Sequence, residues 1–436
     1  MNDSVRIRPA PAGLCGTLTL PGDKSISHRA VMFAAIAQGE SHILNCSGGG
    51  DNRSTISALQ KLGVEITRMG TEMQVKGHGW NGLRAPAETI DCGNSGTTMR
   101  LLAGLLVGRP FVSRLDGDAS LRSRPMGRIM TPLRAMGAEI FAEGGEDRAP
   151  LRVAGRRLHG IPYRSPVASA QVKSALILAG LQAHGRTQVW EPVRSRDHTE
   201  RLLPAFGGRL HVDDTAISLE GGQELHACDV EVPGDLSSAA FFIGAALIVP
   251  GSELHVRAVG LNPTRTGVLD IFQAMGGTLT ILNQREICGE PVGDVSVRPS
   301  LLNGVEIKGE LVVRAIDELP VVAVVAAFAR GTTTIRGAQE LRVKESDRLH
   351  ALATSLLALG ARVTELPDGL VIEGDGGLRG GQVQSFADHR IAMALSVAGL
   401  AGTGEMVLKG VDSVAISFPG FYNLVRDLTG PTVTHL

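Results

Sequence analysis

The sequence predicts an α/β protein made of two similar lobes, each containing three copies of one repeat. Three observations support this prediction. Helical and strand-like segments alternate along the chain, a glycine that ends a helix recurs roughly every 70 residues, and a Pro-Gly-Asp turn occurs at both 21–23 and 233–235. Alternation of helices and strands is typical of α/β folds, and a fixed period marks a repeat architecture.

The recurring glycine follows an apolar helical segment and precedes strand-like residues. One copy reads Ala-Met-Gly-Ala-Glu-Ile at 135–140, and another reads Ala-Met-Gly-Gly-Thr-Leu at 274–279. Glycine adopts a left-handed backbone just past a helix without steric cost. We therefore predict a helix C-cap leading into a strand at six glycines, the last of them in a degenerate phrase: Gly63, Gly137, Gly207, Gly276, Gly360 and Gly430.

Each repeat is expected to contain an apolar helix, a short strand, a second helix and the strands that follow its glycine. The first repeat illustrates this, with an apolar helix predicted at 30–37 and a strand at 72–75. Six repeats are more than a single hydrophobic core can hold, so we expect the chain to divide into two lobes of three repeats each. The strand predicted at 16–20 precedes the first Pro-Gly-Asp turn. The chain should therefore cross twice between the lobes, with residues 21–234 in one lobe and 1–20 plus 235–436 in the other.

Composition excludes several classes of function. The chain has 436 residues, with 43 Lys and Arg against 44 Asp and Glu, and only 11 Phe, 2 Trp and 2 Tyr. Nucleic-acid binding usually needs a basic surplus and aromatic rings, so no nucleic-acid partner is expected. The longest apolar run, 239–250, is too short for a membrane span, and no signal-peptide core is seen. Five cysteines without a Cys-x-x-Cys pair favour a reducing cytoplasm.

Polar residues precede the first helix of every repeat. Capping of the helix would explain serine, aspartate and asparagine there, but it does not explain nearby cations, which are unfavourable at the positive end of a helix dipole. We therefore expect several helix starts to face one cleft that holds a ligand with several negative charges. No Walker A loop occurs, so a nucleoside triphosphate is not favoured. The cations are Lys24, Arg29, Arg100, Lys173 and Arg390, with Arg122, Arg124, Arg194 and Arg196 in loops.

Two motifs have an ordinary structural explanation as well as a functional one. Glu345 and Arg348 could form a surface ion pair on a helix, because they are three residues apart. His389 could be a capping or core histidine. No set of histidines and cysteines has metal-ligand spacing, so neither a metal nor a cofactor is expected.

Several motifs together resemble the 5-enolpyruvylshikimate-3-phosphate synthase family of enolpyruvyl transferases, in its class II branch. They occur in order between Pro21 and Pro419, over nearly the whole chain. The motifs are Pro-Gly-Asp-Lys-Ser-Ile-Ser-His-Arg at 21–29, Gly-Asn-Ser-Gly-Thr-Thr-Met-Arg at 93–100, Gly-Asp-Ala-Ser-Leu at 117–121, Arg-Pro-Met-Gly at 124–127, Ser-Ala-Gln-Val-Lys-Ser at 169–174, Arg-Val-Lys-Glu-Ser-Asp-Arg at 342–348 and Asp-His-Arg at 388–390.

The resemblance implies a fold, an activity and partners. The fold is an inside-out α/β barrel of two lobes, each of three βαβαββ units, joined by a double crossover. The activity is transfer of the enolpyruvyl group of phosphoenolpyruvate to the 5-hydroxyl of shikimate 3-phosphate, without a cofactor, in aromatic amino-acid biosynthesis. It also implies a cytoplasmic monomer that the phosphoenolpyruvate analogue glyphosate inhibits.

The resemblance also assigns the site residues. Asp317 would be the base for the attacking hydroxyl, Glu345 the acid that protonates the methylene carbon, and Lys24 a proton relay or a stabiliser of the leaving phosphate. Residues implied to contact shikimate 3-phosphate are Lys24, Ser25, Arg29, Ser169, Ala170, Gln171, Arg196, Asp317 and Lys344. Residues implied to contact phosphoenolpyruvate are Lys24, Gly96, Arg124, Gln171, Arg348 and Arg390, and Asn94, Thr97 and His389 complete the substrate-binding set.

Two departures and three alternatives accompany this assignment. Ala170 replaces a second serine, and Ile416 stands where some relatives have a phosphate-binding lysine. The nearest alternative is the sister enzyme that acts on UDP-N-acetylglucosamine, but its reactive cysteine is missing from the loop 117–124. The others are a noncatalytic binding protein, against which the presence of Asp317 and Glu345 counts, and a nucleic-acid binder.

Overall fold

The chain forms two compact α/β units. In the computed structural model, which describes residues 3–436, the first unit contains residues 21–232 and 286–290, and the second unit contains residues 3–20, 233–285 and 291–436. The division at 232/233 lies slightly before the boundary predicted at 234/235, and the segment 286–290 joins the first unit, which the sequence did not predict.

Most helices are short, and within residues 3–436 none combines the length and hydropathy that crossing a membrane requires. The α-helices are α1 (Lys24–Ile36), α2 (Gly50–Lys61), α3 (Gly96–Leu106), α4 (Ala119–Ser123), α5 (Gly127–Ala135), α6 (Ala170–Gln182), α7 (His198–Leu202), α8 (Leu236–Ile248), α9 (Gly267–Ala274), α10 (Glu310–Ala315), α11 (Leu319–Phe328), α12 (Arg348–Ala358), α13 (His389–Ala401) and α14 (Phe421–Thr429). Short 3₁₀ helices lie at Trp80–Gly82, Leu203–Phe206, Gln339–Val343 and Val411–Ile416.

The strands alternate with these helices along the chain. They are β1 (Ser4–Ile7), β2 (Cys15–Thr19), β3 (Ala37–Leu44), β4 (Glu65–Met69), β5 (Glu72–His78), β6 (Ile90–Asp91), β7 (Val112–Asp116), β8 (Glu139–Ala142), β9 (Leu151–Ala154), β10 (Pro162–Arg164), β11 (Arg186–Trp190), β12 (His211–Asp213), β13 (Ala216–Glu220), β14 (Leu225–His226), β15 (Val230–Glu231), β16 (Glu253–Gly260), β17 (Thr278–Ile287), β18 (Glu290–Arg298), β19 (Glu306–Ile307), β20 (Arg330–Ile335), β21 (Arg362–Leu366), β22 (Gly369–Asp375), β23 (Gly381–Gln384), β24 (Met406–Lys409) and β25 (Val433–His435).

Six sheets repeat one strand order, which confirms the predicted repeats. In every sheet a parallel pair at one edge is followed by an antiparallel neighbour. The first unit has the orders β14-β3-β5-β4, with β15 also on β3, then β6-β7-β9-β8 and β10-β11-β13-β12. The second unit has β2-β16-β18-β17, β19-β20-β22-β21 and β23-β24-β1-β25.

The segment before the first Pro-Gly-Asp turn completes two sheets of the second unit. Strand β2 pairs with β16, with Leu18 opposite Val256, and β1 lies between β24 and β25. In the first unit, β14 and β15 from its end pair with β3 from its beginning. Each unit is therefore closed by strands that are distant in the sequence.

All six predicted capping glycines have a positive φ. The values run from 74° at Gly430 to 95° at Gly137. All six lie just beyond a helical segment and are followed by a strand, as predicted. Other residues rarely adopt this backbone conformation, which explains why the glycine returns in every repeat.

The apolar helices form the interior of each unit, and the sheets surround them. Helices α1, α3 and α6 are almost wholly buried in the first unit, as are α8, α11 and α13 in the second. The helix predicted at 30–37 starts earlier, at Lys24, because the Asp23 side chain caps it by accepting a hydrogen bond from the amide of Ile26. The strand predicted at 72–75 is the beginning of β5. Polar side chains likewise cap four other buried helices, namely Ser95 on α3, Ser169 on α6, Asp235 on α8 and Asp388 on α13.

Candidate functional site

Lys24 begins α1 and is paired with an acidic residue that the sequence did not identify. Its Nζ atom lies 2.9 Å from Oδ2 of Asp51, at the start of α2. The amide of Asn52 donates to the carbonyl of Lys24 over 3.1 Å, which ties the same two helices together. The predicted cation is present and partly accessible, but one neighbouring carboxylate already balances its charge.

Arg29 lies one turn further along α1 and forms what we call the Arg29 cluster, with Ser25, Ser174 and Thr199. Its Nε donates to Thr199 Oγ1 over 2.6 Å, and its NH2 group donates to Ser174 Oγ over 2.8 Å. Its NH1 group donates to the carbonyl of Ser25 over 2.9 Å. Only 3 % of the residue is exposed, and burial lowers the pKa of Arg29 to about 10, so the guanidinium stays charged near neutral pH.

Gln171, on the first turn of α6, joins this helix to α3. Its amide Nε2 donates to Thr97 Oγ1 over 2.9 Å, and its Oε1 accepts a short hydrogen bond from Arg100. Arg100 also donates to the carbonyl of Pro125 over 3.1 Å. Ser169 is the N-cap of α6 and accepts from the amide of Val172. The structure thus brings the predicted residues Thr97 and Gln171 into contact.

Lys173 is not a cation that awaits a ligand, so this part of the sequence prediction is wrong. Its side chain is 1 % exposed, and Nζ lies 2.8 Å from carboxylate oxygens of both Glu191 and Glu200. We call these three residues the buried ion cluster. Burial by itself would lower the pKa of Lys173, but Glu200 and Glu191 outweigh it and raise the pKa above its usual value.

Arg124 and the start of α3 form a second group, the Arg124 cluster, with Asn94, Gly96 and Ser120. The Arg124 NH2 group donates to Asn94 Oδ1 over 2.6 Å and lies 3.2 Å from Ser120 Oγ. A Cβ atom at Gly96 would lie 3.0 Å from Arg100 NH1 and 3.4 Å from Arg124 NH1. Gly96 is therefore enclosed by two guanidinium groups.

The remaining predicted loop arginines are mostly engaged within the first unit. Arg122 donates to both carboxylate oxygens of Asp116, and Arg194 pairs with Asp197. Arg196 is half-buried. Arg122 lies in α4 and not in a loop as predicted, and both Arg122 and Arg194 are ion-pair partners of nearby aspartates.

In the second unit, Asp317 lies against three cations. Its carboxylate oxygens are 3.5 Å from Arg348, 3.5 Å from Arg390 and 3.7 Å from Lys344. The Arg390 NH1 group also donates to the backbone carbonyl of Asp317 over 3.0 Å. With Glu345, these residues form the Asp317 cluster, in which three cations from the motifs at 342–348 and 388–390 surround one carboxylate.

Glu345 and Arg348 are in contact, but they do not form a surface pair on one helix. Arg348 NH2 lies 2.5 Å from Glu345 Oε2, and its Nε donates to Asp388 Oδ2 over 2.8 Å. Arg348 begins α12, and its side chain is 1 % exposed. Burial would lower the pKa of Arg348, but Asp388 and Glu345 outweigh it and raise the pKa. His389 is also buried, at the start of α13.

Behind Asp317 lies a pair that sequence reasoning missed. Glu318 is wholly buried and accepts a short hydrogen bond from Ser237 Oγ. Arg265 donates to the same Ser237 Oγ over 2.6 Å and lies 3.5 Å from Glu318. The Pro-Gly-Asp turn at 233–235 indicated this region, but nothing in the sequence linked it to Arg265. Among residues 3–436, no group of three or more His, Cys, Asp and Glu side chains is placed to hold a metal ion.

Comparison with known proteins gives one family. The model of that family, described as EPSP synthase (3-phosphoshikimate 1-carboxyvinyltransferase), matches residues 9–424. The 3-phosphoshikimate 1-carboxyvinyltransferase of Geobacter sulfurreducens is 53% identical over 422 residues, which covers 97% of this chain and 98% of that protein. The enzyme of the same name from Synechococcus sp. is 53% identical over 435 residues, covering 99% and 98%. An EPSP synthase structure from Acinetobacter baumannii has a TM-score of 0.89 at 45% identity and covers 99% of both chains.

Proposed function

Because this chain belongs to the EPSP synthase family, we propose that the Arg29, Arg124 and Asp317 clusters divide between them the binding and chemistry of that family's reaction. The chain transfers the enolpyruvyl group of phosphoenolpyruvate to the 5-hydroxyl of shikimate 3-phosphate and releases phosphate, in the shikimate pathway of aromatic biosynthesis. Both substrates carry a phosphate and a carboxylate, which are the groups that arginine binds in a bidentate manner.

The Arg29 cluster and the start of α6 bind shikimate 3-phosphate in this proposal. Arg29 keeps its charge although it is buried, and its planar group has N–H bonds beyond the three already donated. Ser169 and the backbone amide of Ala170 stand at the positive end of α6, where a phosphate is favoured. The other contacts are assigned to Lys24, Ser25, Gln171, Arg196, Asp317 and Lys344.

The Arg124 cluster binds phosphoenolpyruvate together with Arg348 and Arg390. Gly96 leaves room for the small donor, since a side chain there would press on Arg100. Asn94 and Thr97 orient the neighbouring groups, because Asn94 accepts from Arg124 and Thr97 accepts from Gln171. Lys24 and Gln171 serve both substrates. His389, at the start of α13 next to Arg390, completes the proposed substrate-binding set.

Asp317 and Glu345 carry out the addition step. The Asp317 carboxylate takes the proton of the 5-hydroxyl of shikimate 3-phosphate. The hydroxyl oxygen forms a bond to C2 of phosphoenolpyruvate at the same time. The electron pair of the C2–C3 double bond then takes a proton from Glu345, which turns the methylene group into a methyl group. The product is a tetrahedral intermediate that still carries the phosphate.

The elimination step reverses the proton transfer at C3. The C2–O bond to phosphate breaks with its electron pair on the phosphate, and the Glu345 carboxylate takes one methyl proton, so that the double bond re-forms. Lys24 supplies positive charge and a proton to the leaving phosphate and then takes a proton from solvent, while Asp317 returns its proton to solvent. The surrounding arginines contribute orientation and electrostatic stabilisation.

The observation that carries this proposal is the Asp317 cluster, in which one carboxylate lies within 3.7 Å of three cations and Arg348 also holds Glu345. The test is a phosphate-release assay. We expect phosphate only when phosphoenolpyruvate and shikimate 3-phosphate are both present, and no release when UDP-N-acetylglucosamine replaces shikimate 3-phosphate. Release with UDP-N-acetylglucosamine, or binding of both substrates without any release, would contradict the assignment.

Glyphosate inhibition, a monomeric state and a cytoplasmic location complete the proposal. Gly96 has no side chain to exclude a phosphoenolpyruvate analogue, which supports inhibition. The five cysteines are unpaired thiols, as expected in a reducing compartment. Glyphosate should compete with phosphoenolpyruvate in the same assay, and sedimentation should give the mass of one chain.

A further inference from the structure

We propose that Glu191 is a positioning residue for the phosphate of shikimate 3-phosphate. Glu191 fixes the backbone at Ser169 and next to Arg196. Lys173 pairs with the Glu191 carboxylate and keeps it in position. This inference rests on the proposed assignment of Ser169 and Arg196 to that substrate. Neither Glu191 nor Lys173 belongs to the assigned substrate contacts.

The carboxylate of Glu191 joins two segments that are far apart in the sequence. Its Oε1 accepts from the backbone amide of Ser169 over 3.1 Å and from Ser195 Oγ over 2.5 Å. Its Oε2 accepts from the backbone amide of Ser195 over 3.2 Å and from Lys173 Nζ over 2.8 Å. One side chain thus holds the N-cap of α6 and the residue just before Arg196.

Lys173 makes this arrangement possible inside the protein. A buried carboxylate without a cation is costly, and charge-assisted hydrogen bonds are stronger than neutral ones. Lys173 pairs with Glu191 and also donates to the carbonyl of Ser195 over 3.3 Å. The backbone amide and the carbonyl of Ser195 are therefore both held by hydrogen bonds, and this fixes the direction in which the backbone continues to Arg196.

Glu200 provides a matched comparison within the same cluster. It has the same charge and similar burial as Glu191, and its Oε1 lies at the same 2.8 Å from Lys173. Its other oxygen, Oε2, has no hydrogen-bond partner within residues 3–436. Glu191 and Glu200 therefore balance Lys173 alike. They differ in that Glu191 also holds Ser169 and Ser195, whereas the charge of Glu200 also acts on Arg29.

The experiment compares Glu191→Gln with Glu200→Gln in the full-length chain. Titration with shikimate 3-phosphate alone should give a Kd that rises about tenfold for Glu191→Gln, because an amide cannot accept at both positions. The Kd of Glu200→Gln should rise by no more than about twofold, because the charge that it removes near Arg29 is negative and does not help to bind an anionic ligand. For Glu191→Gln, KM for phosphoenolpyruvate should change less than about twofold and kcat less than about threefold. Ser195→Ala, which removes one bond to Glu191 without a charge change, should raise the Kd about threefold.

The outcomes separate this inference from the assignment beneath it. Equal rises in Kd for the two glutamine variants would overturn the inference, since only the charge would then matter. The inference would be overturned if the Kd is unchanged in Glu191→Gln and Ser195→Ala but rises strongly in Arg196→Ala. The assignment of Arg196 to shikimate 3-phosphate would then stay in place. An unchanged Kd for Arg196→Ala would overturn the assignment itself. If Glu191→Gln fails to fold by circular dichroism, Ser195→Ala decides alone.

Discussion

Arg348 donates from Nε to Oδ2 of Asp388 over 2.8 Å, and the two side chains are 1 % and 0 % exposed. Without Asp388, Arg348 still has Glu345 at 2.5 Å and Asp317 at 3.5 Å, so its charge is not left unpaired. We therefore expect Asp388→Asn to lower the free energy of unfolding by about 1.5–3 kcal/mol, the cost of losing hydrogen bonds to a charged group, measured by urea denaturation at pH 7. The control is Glu405→Gln, since Glu405 is 44 % exposed where it pairs with Arg6; its loss should stay below about 1 kcal/mol. If the two variants lose the same free energy of unfolding, burial does not make the Arg348–Asp388 pair more stabilising than an exposed pair.

Asp317→Asn should abolish turnover and leave substrate binding largely intact. The amide keeps the shape of the side chain but cannot accept the hydroxyl proton, and loss of a positioned base costs about 10²–10⁴ in rate. The measurements are phosphate release and titration with shikimate 3-phosphate. Asp270→Asn, in the exposed pair with Arg314, is the control and should keep full activity. Full activity in Asp317→Asn would remove Asp317 from its role as base.

The pairing of Lys24 with Asp51 at 2.9 Å predicts opposite effects on binding and rate. Asp51→Asn removes a negative charge close to the proposed phosphate sites, so the Kd for shikimate 3-phosphate should fall about threefold. It also releases the Lys24 side chain from its fixed position, so kcat should fall about tenfold. Titration and steady-state phosphate release measure the two quantities. Glu88→Gln, in the exposed pair with Lys61, should change neither. An unchanged kcat in Asp51→Asn would show that Asp51 does not position Lys24.

Gly96→Ala should weaken binding of phosphoenolpyruvate and of glyphosate. The added Cβ would lie 3.0 Å from NH1 of Arg100, which Gln171 and the Pro125 carbonyl hold in place, so the guanidinium has little room to move. We expect KM for phosphoenolpyruvate to rise about tenfold, which corresponds to about 1.4 kcal/mol. Inhibition by glyphosate should require a correspondingly higher concentration. Gly377→Ala is the control, because nothing lies within 4 Å of a Cβ there.

The features that the sequence predicts well are those that depend on a few neighbouring residues. A glycine with positive φ after a helix is a local requirement, so Gly63 and Gly137 could be identified without knowing what they pack against. The same is true of Asp23 as a helix cap. Repetition of these local signals was sufficient to count the six repeats, and the sheets have the corresponding order.

The features that it does not predict depend on which charges meet in the folded chain. Lys173 looked like a ligand-binding cation, because Glu191 and Glu200 come close to it only when the loop after β11 folds back onto α6. The spacing of Glu345 and Arg348 fitted a surface helix, whereas Arg348 is buried against Asp388 from another repeat. Charge pairing between residues on separate elements has no local signature in one sequence.

His28 gives the folded chain a stability that acid removes in a defined range of pH. Its side chain is buried with Nδ1 2.7 Å from Thr55 Oγ1, and burial, assisted by Lys24 and Arg29, lowers the pKa of His28 to about 3. In the unfolded chain its pKa is about 6.5, so between these values the unfolded state binds a proton that the folded state does not. The stabilising effect is therefore complete above about pH 6.5 and is lost as the pH falls, with a slope of about 1.4 kcal/mol per pH unit.

His28→Gln should remove this contribution to the slope, because glutamine does not titrate. Urea unfolding at pH 6 and pH 5 measures it in a range above the ordinary pKa of aspartate, about 3.9, so that protonation of Asp388 does not interfere. The free energy of unfolding of the original chain should fall more steeply between these two values than that of His28→Gln. His350→Gln, which alters an exposed histidine beside Glu365, should leave the slope within error of the original. If His28→Gln also keeps the full slope, the acid sensitivity comes from other groups, and His28 is not held neutral by its burial.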